Sequence, residues 1–347
     1  MKLFLNHRMH TLALVGLACS LVAACAGMKS GPTGIVAPGA NWEEITRAGR
    51  VFGEGVVAAK DGTLYMTDIN NTGGTIWHYD PASGRADNLM EPSGQATGLH
   101  VDKNGDLLIA QGADGGGRAV LRRNLRTGAT TVVVNAYQGK RLNAPNDLTT
   151  DAQGRIFFTD ARFLGAEPME LPNAVYRVDT SGRVTQIIND LFRPNGIEVS
   201  PDGRRLYVAV SGSMALVMNP NGPAKDRFGI EGGGGGLVGY DLDADGNVSN
   251  GRLLLRRMDM SPDGMAMDTD GNLYVALHNG NPKDPKGDIV VLNPAGDLIE
   301  RLAPPPGILS IQLGFGRGAD AGTLYMTRAL PWALYRIKTV RRGHYFE

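Results

Sequence analysis

Glu54, Thr97, Asn146, Asn195 and Asp263 carry five oxygen-bearing side chains, each placed eight residues before a turn glycine (Gly62, Gly105, Gly154, Gly203 and Gly271). Gln312, ten residues before Gly322, is the nearest sixth counterpart. Four are followed at once by glycine, in Glu54-Gly55, Thr97-Gly98, Asn195-Gly196 and Asp263-Gly264. If the chain gathers these positions, the two carboxylates repel and the amides need partners. A cation answers both needs, with Glu54 and Asp263 supplying charge and Asn146 and Asn195 supplying carbonyl oxygens. All-oxygen ligation suits Ca2+, with water completing the shell. Zn2+, Mn2+ or Mg2+ are also compatible. Such an ion polarises a carbonyl oxygen, and a carboxylate beside it takes a proton from attacking water, which is ester hydrolysis. The other reading is that these residues cap strand starts and bind water.

The elements that must position them recur six times. Each repeat writes an apolar strand, a glycine turn and a β-rich strand: Leu64 to Thr67, Leu107 to Ala110, Ile156 to Thr159, Leu206 to Ala209, Leu273 to Ala276 and Leu324 to Thr327. Asp-Gly and Asn-Gly pairs such as Asp61-Gly62 and Asn104-Gly105 are hairpin signals. Third strands (Ile76 to Asp80, Val175 to Asp179, Leu237 to Asp241) and fourth strands (Thr130 to Val134, Val184 to Ile188) follow. Four antiparallel strands repeated six times predict an all-β fold, a six-bladed β-propeller over 41–347. The first strand of each blade lies beside the axis, so the six polar positions converge on one channel mouth. Nothing in this span has the pattern of a long amphipathic helix. The longest repeat contains 211–236 with the run Gly232 to Gly236, expected to be mobile, either as a lid or as a plain insertion.

These stretches resemble the regucalcin/gluconolactonase/luciferin-regenerating enzyme family. The resemblance is carried by Gly53-Glu54-Gly55, the run from Gly139 to Asp147 (GKRLNAPND) with Phe158-Thr159-Asp160, Arg193-Pro194-Asn195-Gly196, and Pro262 to Asp268. GKRLNAPND is close to the gluconolactonase branch. The resemblance implies six blades around one divalent ion, Glu54, Asn146, Asn195 and Asp263 as its ligands, Asp263 as the catalytic carboxylate, and a sugar-acid lactone such as gluconolactone as substrate. The chain departs from the family pattern at Val56, Thr97, Ala161, Phe163 and Ile311-Gln312, which changes the pocket wall and leaves the implied ligands in place.

Asp263 acts either as the base for a water or as a nucleophile that forms a covalent intermediate. Asn146 also faces the substrate. Arg141 either meets a substrate carboxylate or covers the surface, and His278 is either a surface histidine or a proton shuttle. His100 is expected to line the channel, and Asp160 either binds a second ion or caps a turn. Two further readings use the same sequence: phosphotriester or other ester hydrolysis at the same ion, and a binding propeller without catalysis. No serine-nucleophile, phosphate-loop or dinucleotide motif stands in the strand–loop–helix setting it needs.

The first 25 residues have the form of a leader: Lys2 and Arg8, then an apolar run from Thr11 to Ala24 that is too short to span a bilayer, then Val22-Ala23-Ala24-Cys25. This resembles a bacterial lipobox, which implies a lipid-anchored protein with Cys25 acylated. Ala26 at the next position favours the outer membrane, facing the periplasm. Residues 26–40 are rich in glycine and proline and are expected to be a tether. With Cys19 removed and Cys25 acylated, neither a disulfide nor a cysteine nucleophile remains. The 35 basic and 35 acidic residues balance in the full chain, which argues against a nucleic-acid partner. No obligate protein partner is evident.

Overall fold

The computed structural model describes residues 34–112, 115–163, 168–212, 226–230 and 234–347. The leader with Cys25, residues 26–33 and most of the 211–236 insertion lie outside them. The described unit consists of six four-stranded antiparallel sheets arranged as a six-bladed β-propeller. From the innermost strand outward, blade 1 is Phe52–Ala58, Leu64–Ile69, Thr75–Asp80 and Arg85–Met90. Blade 2 is Ala96–Val101, Leu107–Gln111, Ala119–Arg123 and Thr130–Val134. Blade 3 is Pro145–Thr150, Ile156–Asp160, Ala174–Val178 and Val184–Ile188. Blade 4 is Pro194–Val199, Arg205–Ser211, Gly235–Leu242 and Val248–Arg257, and blade 5 is Ser261–Met267, Leu273–His278, Gly287–Leu292 and Leu298–Arg301.

Blade 6 takes Ser310–Phe315, Thr323–Arg328 and Ala333–Lys338 from the end of the chain and its outermost strand, Glu43–Thr46, from the beginning. This pairing latches the ring, and each innermost strand touches the next until blade 6 meets blade 1. The sequence reading did not include Glu43–Thr46 as a strand, since four residues with two glutamates carry no apolar alternation.

Each blade is covered on both faces by its neighbours, which is why its inner strands are apolar almost throughout. The core is accordingly divided among the blade interfaces. Val208, Leu206 and Val238 of blade 4 pack on Phe157 and Val175 of blade 3, and Met66 and Tyr79 of blade 1 pack on Tyr325 and Leu334 of blade 6. The outermost strands, such as Thr130–Val134, face solvent.

Three sequence expectations change. Residues 34–40 are attached to the propeller and are not part of a tether: Ile35 is buried, its N–H donates to Glu300 (2.6 Å), and Val36 bridges Thr339. The apolar pair Ile35-Val36 has a surface to bury against, which outweighs the flanking glycine and proline. Gly235 and Gly236 are not mobile either. They begin a buried strand where a side chain would collide with Pro262 or Ile230, so glycine here permits close packing. The first five turn glycines have positive φ, between 67° and 89°, but Gly322 does not. Blade 6 inserts a single 3-10 turn, Gly318–Asp320, into that hairpin.

Candidate active site

In all six innermost strands the pairing register slips at the same place, so that two residues stand opposite one residue of the second strand. The doubled pairs are Glu54-Gly55, Thr97-Gly98, Asn146-Asp147, Asn195-Gly196, Asp263-Gly264 and Ile311-Gln312. Such β-bulges re-aim side chains, and here they do so six times around one axis. The first residue of each pair lines a cavity of about 470 Å³ at one end of the ring. The second residue, where it has a side chain, points the other way: Asp147 and Gln312 line a separate small cavity beneath.

This register corrects one assignment. The sixth ring position is Ile311, not Gln312, because the 3-10 turn in blade 6 lengthens the hairpin and displaces the count from Gly322. Gln312 instead reaches across the axis, and its Nε2 donates to Asp147 Oδ2 (3.1 Å). Blades 3 and 6 are opposite one another, and theirs are the two second-bulge residues that are not glycine. The signal for this cross-channel bond was present in the sequence as the two breaks in the X-Gly pattern.

The other four glycines are there because the next blade comes too close for a side chain. A Cβ at Gly55 would strike the Thr97 carbonyl, at Gly98 the Asp147 side chain, at Gly196 the Asp263 carbonyl, and at Gly264 the Gln312 side chain. Threonines of the second strands then hold the bulges in place. Thr67 donates to the Thr97 carbonyl (2.8 Å), Thr159 to that of Asn195 (2.7 Å) and Thr327 to that of Glu54 (2.6 Å). Blade 2 has Ala110 at this position, and the Thr97 hydroxyl itself donates to the Asn146 carbonyl (2.6 Å).

Glu54, Asn146, Asn195 and Asp263 thus line the same cavity, together with Thr97 and His278. Burial, then the charges of Asp263 and Asp147, push the Glu54 carboxyl well above the usual carboxylate range. His278 is buried, not a surface residue. Its Nδ1 accepts the Gly280 N–H (3.0 Å) and its Nε2 lies 3.0 Å from Asp263 Oδ2. Because Nδ1 is an acceptor, the hydrogen-bond pattern assigns the proton to Nε2, which donates to Asp263. The imidazole therefore orients one carboxylate oxygen and leaves the other for the cavity.

Two other candidates are placed elsewhere. Arg141 sits in a small outer hairpin, Ala136–Tyr137 with Lys140–Arg141, and pairs with Glu170 (3.0 Å). It does not line the cavity, whose guanidinium groups are Arg118 and Arg162. Asp160 caps a turn: its carboxylate accepts the N–H groups of Asn143 (2.9 Å) and Ala144 (2.6 Å), and burial pushes its pKa up to about 7. Asp68 does the same for Arg50, Val51 and Phe52 in blade 1. His100 lines the lower cavity, bonded to Thr150 (2.9 Å), and burial lowers its pKa to about 4. That end of the channel is lined by the C-terminal residues His344, Tyr345 and Phe346. The His344 N–H donates to the Met267 carbonyl (2.8 Å) and the Arg317 guanidinium lies 3.8 Å over the Tyr345 ring.

Residues 52–330 match the model of the SMP-30/Gluconolactonase/LRE-like region. The chain belongs to this family. A gluconolactonase of Zymomonas mobilis is 30% identical over 277 residues, which are 74% of this chain and 68% of that protein. Among solved structures of similar fold, a gluconolactonase from Xanthomonas campestris has a TM-score of 0.69 at 23% identity, covering 88% of this chain and 91% of that one. A calcium-binding regucalcin from Agrobacterium tumefaciens has a TM-score of 0.66 at 19% identity, covering 87% and 95%.

The residues present suit the hard cation that this family implies. Among the described residues no group of three or more His, Cys, Asp or Glu is gathered for a metal, and a cation held in this cavity would meet two carboxylates and two amides. None of the described residues hydrogen-bonds to the Glu54 carboxylate, and burial, then the charges of Asp263 and Asp147, raise its proton affinity. An oxygen-only set with an uncompensated buried carboxylate is what a hard divalent ion stabilises.

Proposed function

We propose that this lactonase opens its substrate at the ring of Glu54, Asn146, Asn195 and Asp263, around one divalent cation, with Ca2+ the first choice and Zn2+, Mn2+ or Mg2+ compatible. The observation that carries this reading is the fixed Asp263 carboxylate, held by His278 within a cavity that also contains Glu54 and the two amides. A cation held there supplies Lewis-acid polarisation of the lactone carbonyl. Asp263, its orientation set by the Nε2–H of His278, would take the proton from the attacking water as it adds to the carbonyl carbon and return it to the ring oxygen as the C–O bond breaks. Asn146 and Asn195 offer their amide groups to ion and substrate, and the cavity encloses the reacting ester. His278 is a positioning residue in this scheme. The similarity to the Zymomonas gluconolactonase supports a sugar-acid lactone as one candidate substrate.

The test is acid release from a lactone panel, measured on the domain with added metal and again with chelator. Turnover should require the ion. Asp263→Asn should lower kcat by about 10²-fold or more, the range for loss of a general base, while thermal melting shows the fold intact. Chelator-insensitive turnover, or a fully active Asp263→Asn variant, overturns the reading. We also propose that Cys25 is acylated and anchors the propeller to the membrane.

A further inference from the structure

The cavity has two unlike sectors. Blades 1 to 5 bring the ring oxygens of Glu54, Thr97, Asn146, Asn195 and Asp263, with His278 beside Asp263, whereas blade 6 and the rim of blade 1 add hydrocarbon. We infer that the preferred substrate is a lactone carrying an apolar substituent, which lies on the wall formed by Phe52, Ile311 and Leu330. This names the substrate class of the lactonase site proposed above, and rests on that reading.

The bulge register carries the argument. Five ring positions present an oxygen-bearing side chain, and the sixth presents Ile311, which is 1% exposed and stands between the blades of Asp263 and Glu54. Ile311 clusters with Leu309 and Ala329, and Phe52 packs against them. The apolar wall continues to the cavity rim through Val51 and Leu330, which are 41% and 38% exposed. These two side chains extend the apolar wall from the buried Ile311 to the open edge of the cavity. The polar residues Asn70 and Asn71 also border this sector, and the amide of Asn70 is used internally. Its Oδ1 accepts the N–H groups of Thr72 and Gly74, and its Nδ2 donates to Asp68 and Thr75. A polyhydroxylated ring turned to this side would exchange water for hydrocarbon and leave hydroxyls unpaired. An alkyl or aryl group there gains by leaving water, while the ester faces the ring oxygens.

The test compares kcat/KM of the metal-loaded protein for unsubstituted δ-valerolactone, δ-lactones bearing alkyl chains of increasing length, and glucono-δ-lactone. Each added methylene should raise kcat/KM about threefold to fourfold until the wall is covered, and the substituted lactones should exceed glucono-δ-lactone. Ile311→Thr should lower the ratio of alkyl to glucono substrate about tenfold. Leu330→Ser, at an exposed rim position where folding is not at risk, should flatten the chain-length dependence. Calorimetry with alkyl-substituted δ-lactams, which are not hydrolysed, should show affinity and a negative heat-capacity change that both grow with chain length. A flat chain-length dependence in both turnover and binding, or the highest kcat/KM for glucono-δ-lactone, overturns the inference. If no lactone is opened but lactam binding still follows chain length, the hydrolase reading fails and the apolar wall stands.

Discussion

Glu54 is the residue whose state depends most on what fills the ring. Burial and two neighbouring carboxylates make its ionised form costly, and a cation removes that cost. Divalent metal should therefore raise the melting temperature, with stability growing as the logarithm of metal concentration above Kd and reaching about 2.7 kcal/mol at a hundred times Kd. Glu54→Gln should lose most of this shift while melting at a similar or higher temperature without metal, because a buried carboxylate has become a neutral amide. Differential scanning fluorimetry across a metal titration checks this, and an unchanged metal shift in the variant removes Glu54 from the ligand set. The type and spacing of Glu54, Asn146, Asn195 and Asp263 were legible in the sequence. His278 was legible only as an open choice, since its separation of 15 positions from Asp263 carries no periodic signal. It is antiparallel pairing of Ser261 with His278 that brings the two together.

At the scale of the element, the site is a property of the bulge. Without the doubled residue, the alternation of a strand would send neighbouring side chains to the blade interfaces. The glycine that follows four of the ring residues keeps the next blade close enough to share one cavity. Gly196→Ala places its new Cβ against the Asp263 carbonyl, so both stability and the site should suffer: a loss of about 2–4 kcal/mol, as in other overpacked or strained cores, with a fall in activity. Gly182→Ala, in an open turn with φ of 85°, is the matched control and should cost about 1 kcal/mol. Chemical denaturation of the two variants decides between close packing and simple glycine flexibility as the reason for the pattern. The six-fold repeat of strands and turns could be read directly, but the identity of the sixth ring residue could not, because a three-residue 3-10 turn shifts the count.

For the whole molecule, Glu43–Thr46 latches blade 6 and so closes the ring, while the C-terminal residues line the lower channel. Beneath the ring, Glu198 accepts hydrogen bonds from Thr149 (2.9 Å) and Val199 (3.1 Å), and burial pushes its pKa up from 4.5 to about 7. The folded state thus holds this proton more tightly than the unfolded chain. Its contribution is fully present below about pH 4.5 and is lost as pH rises through about 7. Glu198→Gln, which keeps the accepting oxygen, should remove that decline and add about 1–3 kcal/mol at pH 8. Denaturant melts at pH 5 and pH 8 test it, and a variant no more stable than the parent at pH 8 contradicts the assignment. Among the described residues no helix is long and apolar enough to cross a membrane. Cys25→Ser should move the protein from the membrane fraction to the soluble fraction of cells, and continued membrane retention would refute lipid anchoring.

Local chemistry alone determined the six repeats, the propeller, and five of the six residues on the ring. Apolar alternation, turn glycines and oxygen-bearing side chains act over a few residues, so their spacing survives in the linear text. Three features were decided by tertiary structure: Ile311 in the sixth position, the Asp147–Gln312 bond across the axis, and the Asp263–His278 contact. Each depends on which backbone atoms meet when six sheets close into a ring, and that meeting is fixed by pairing register and inter-blade packing.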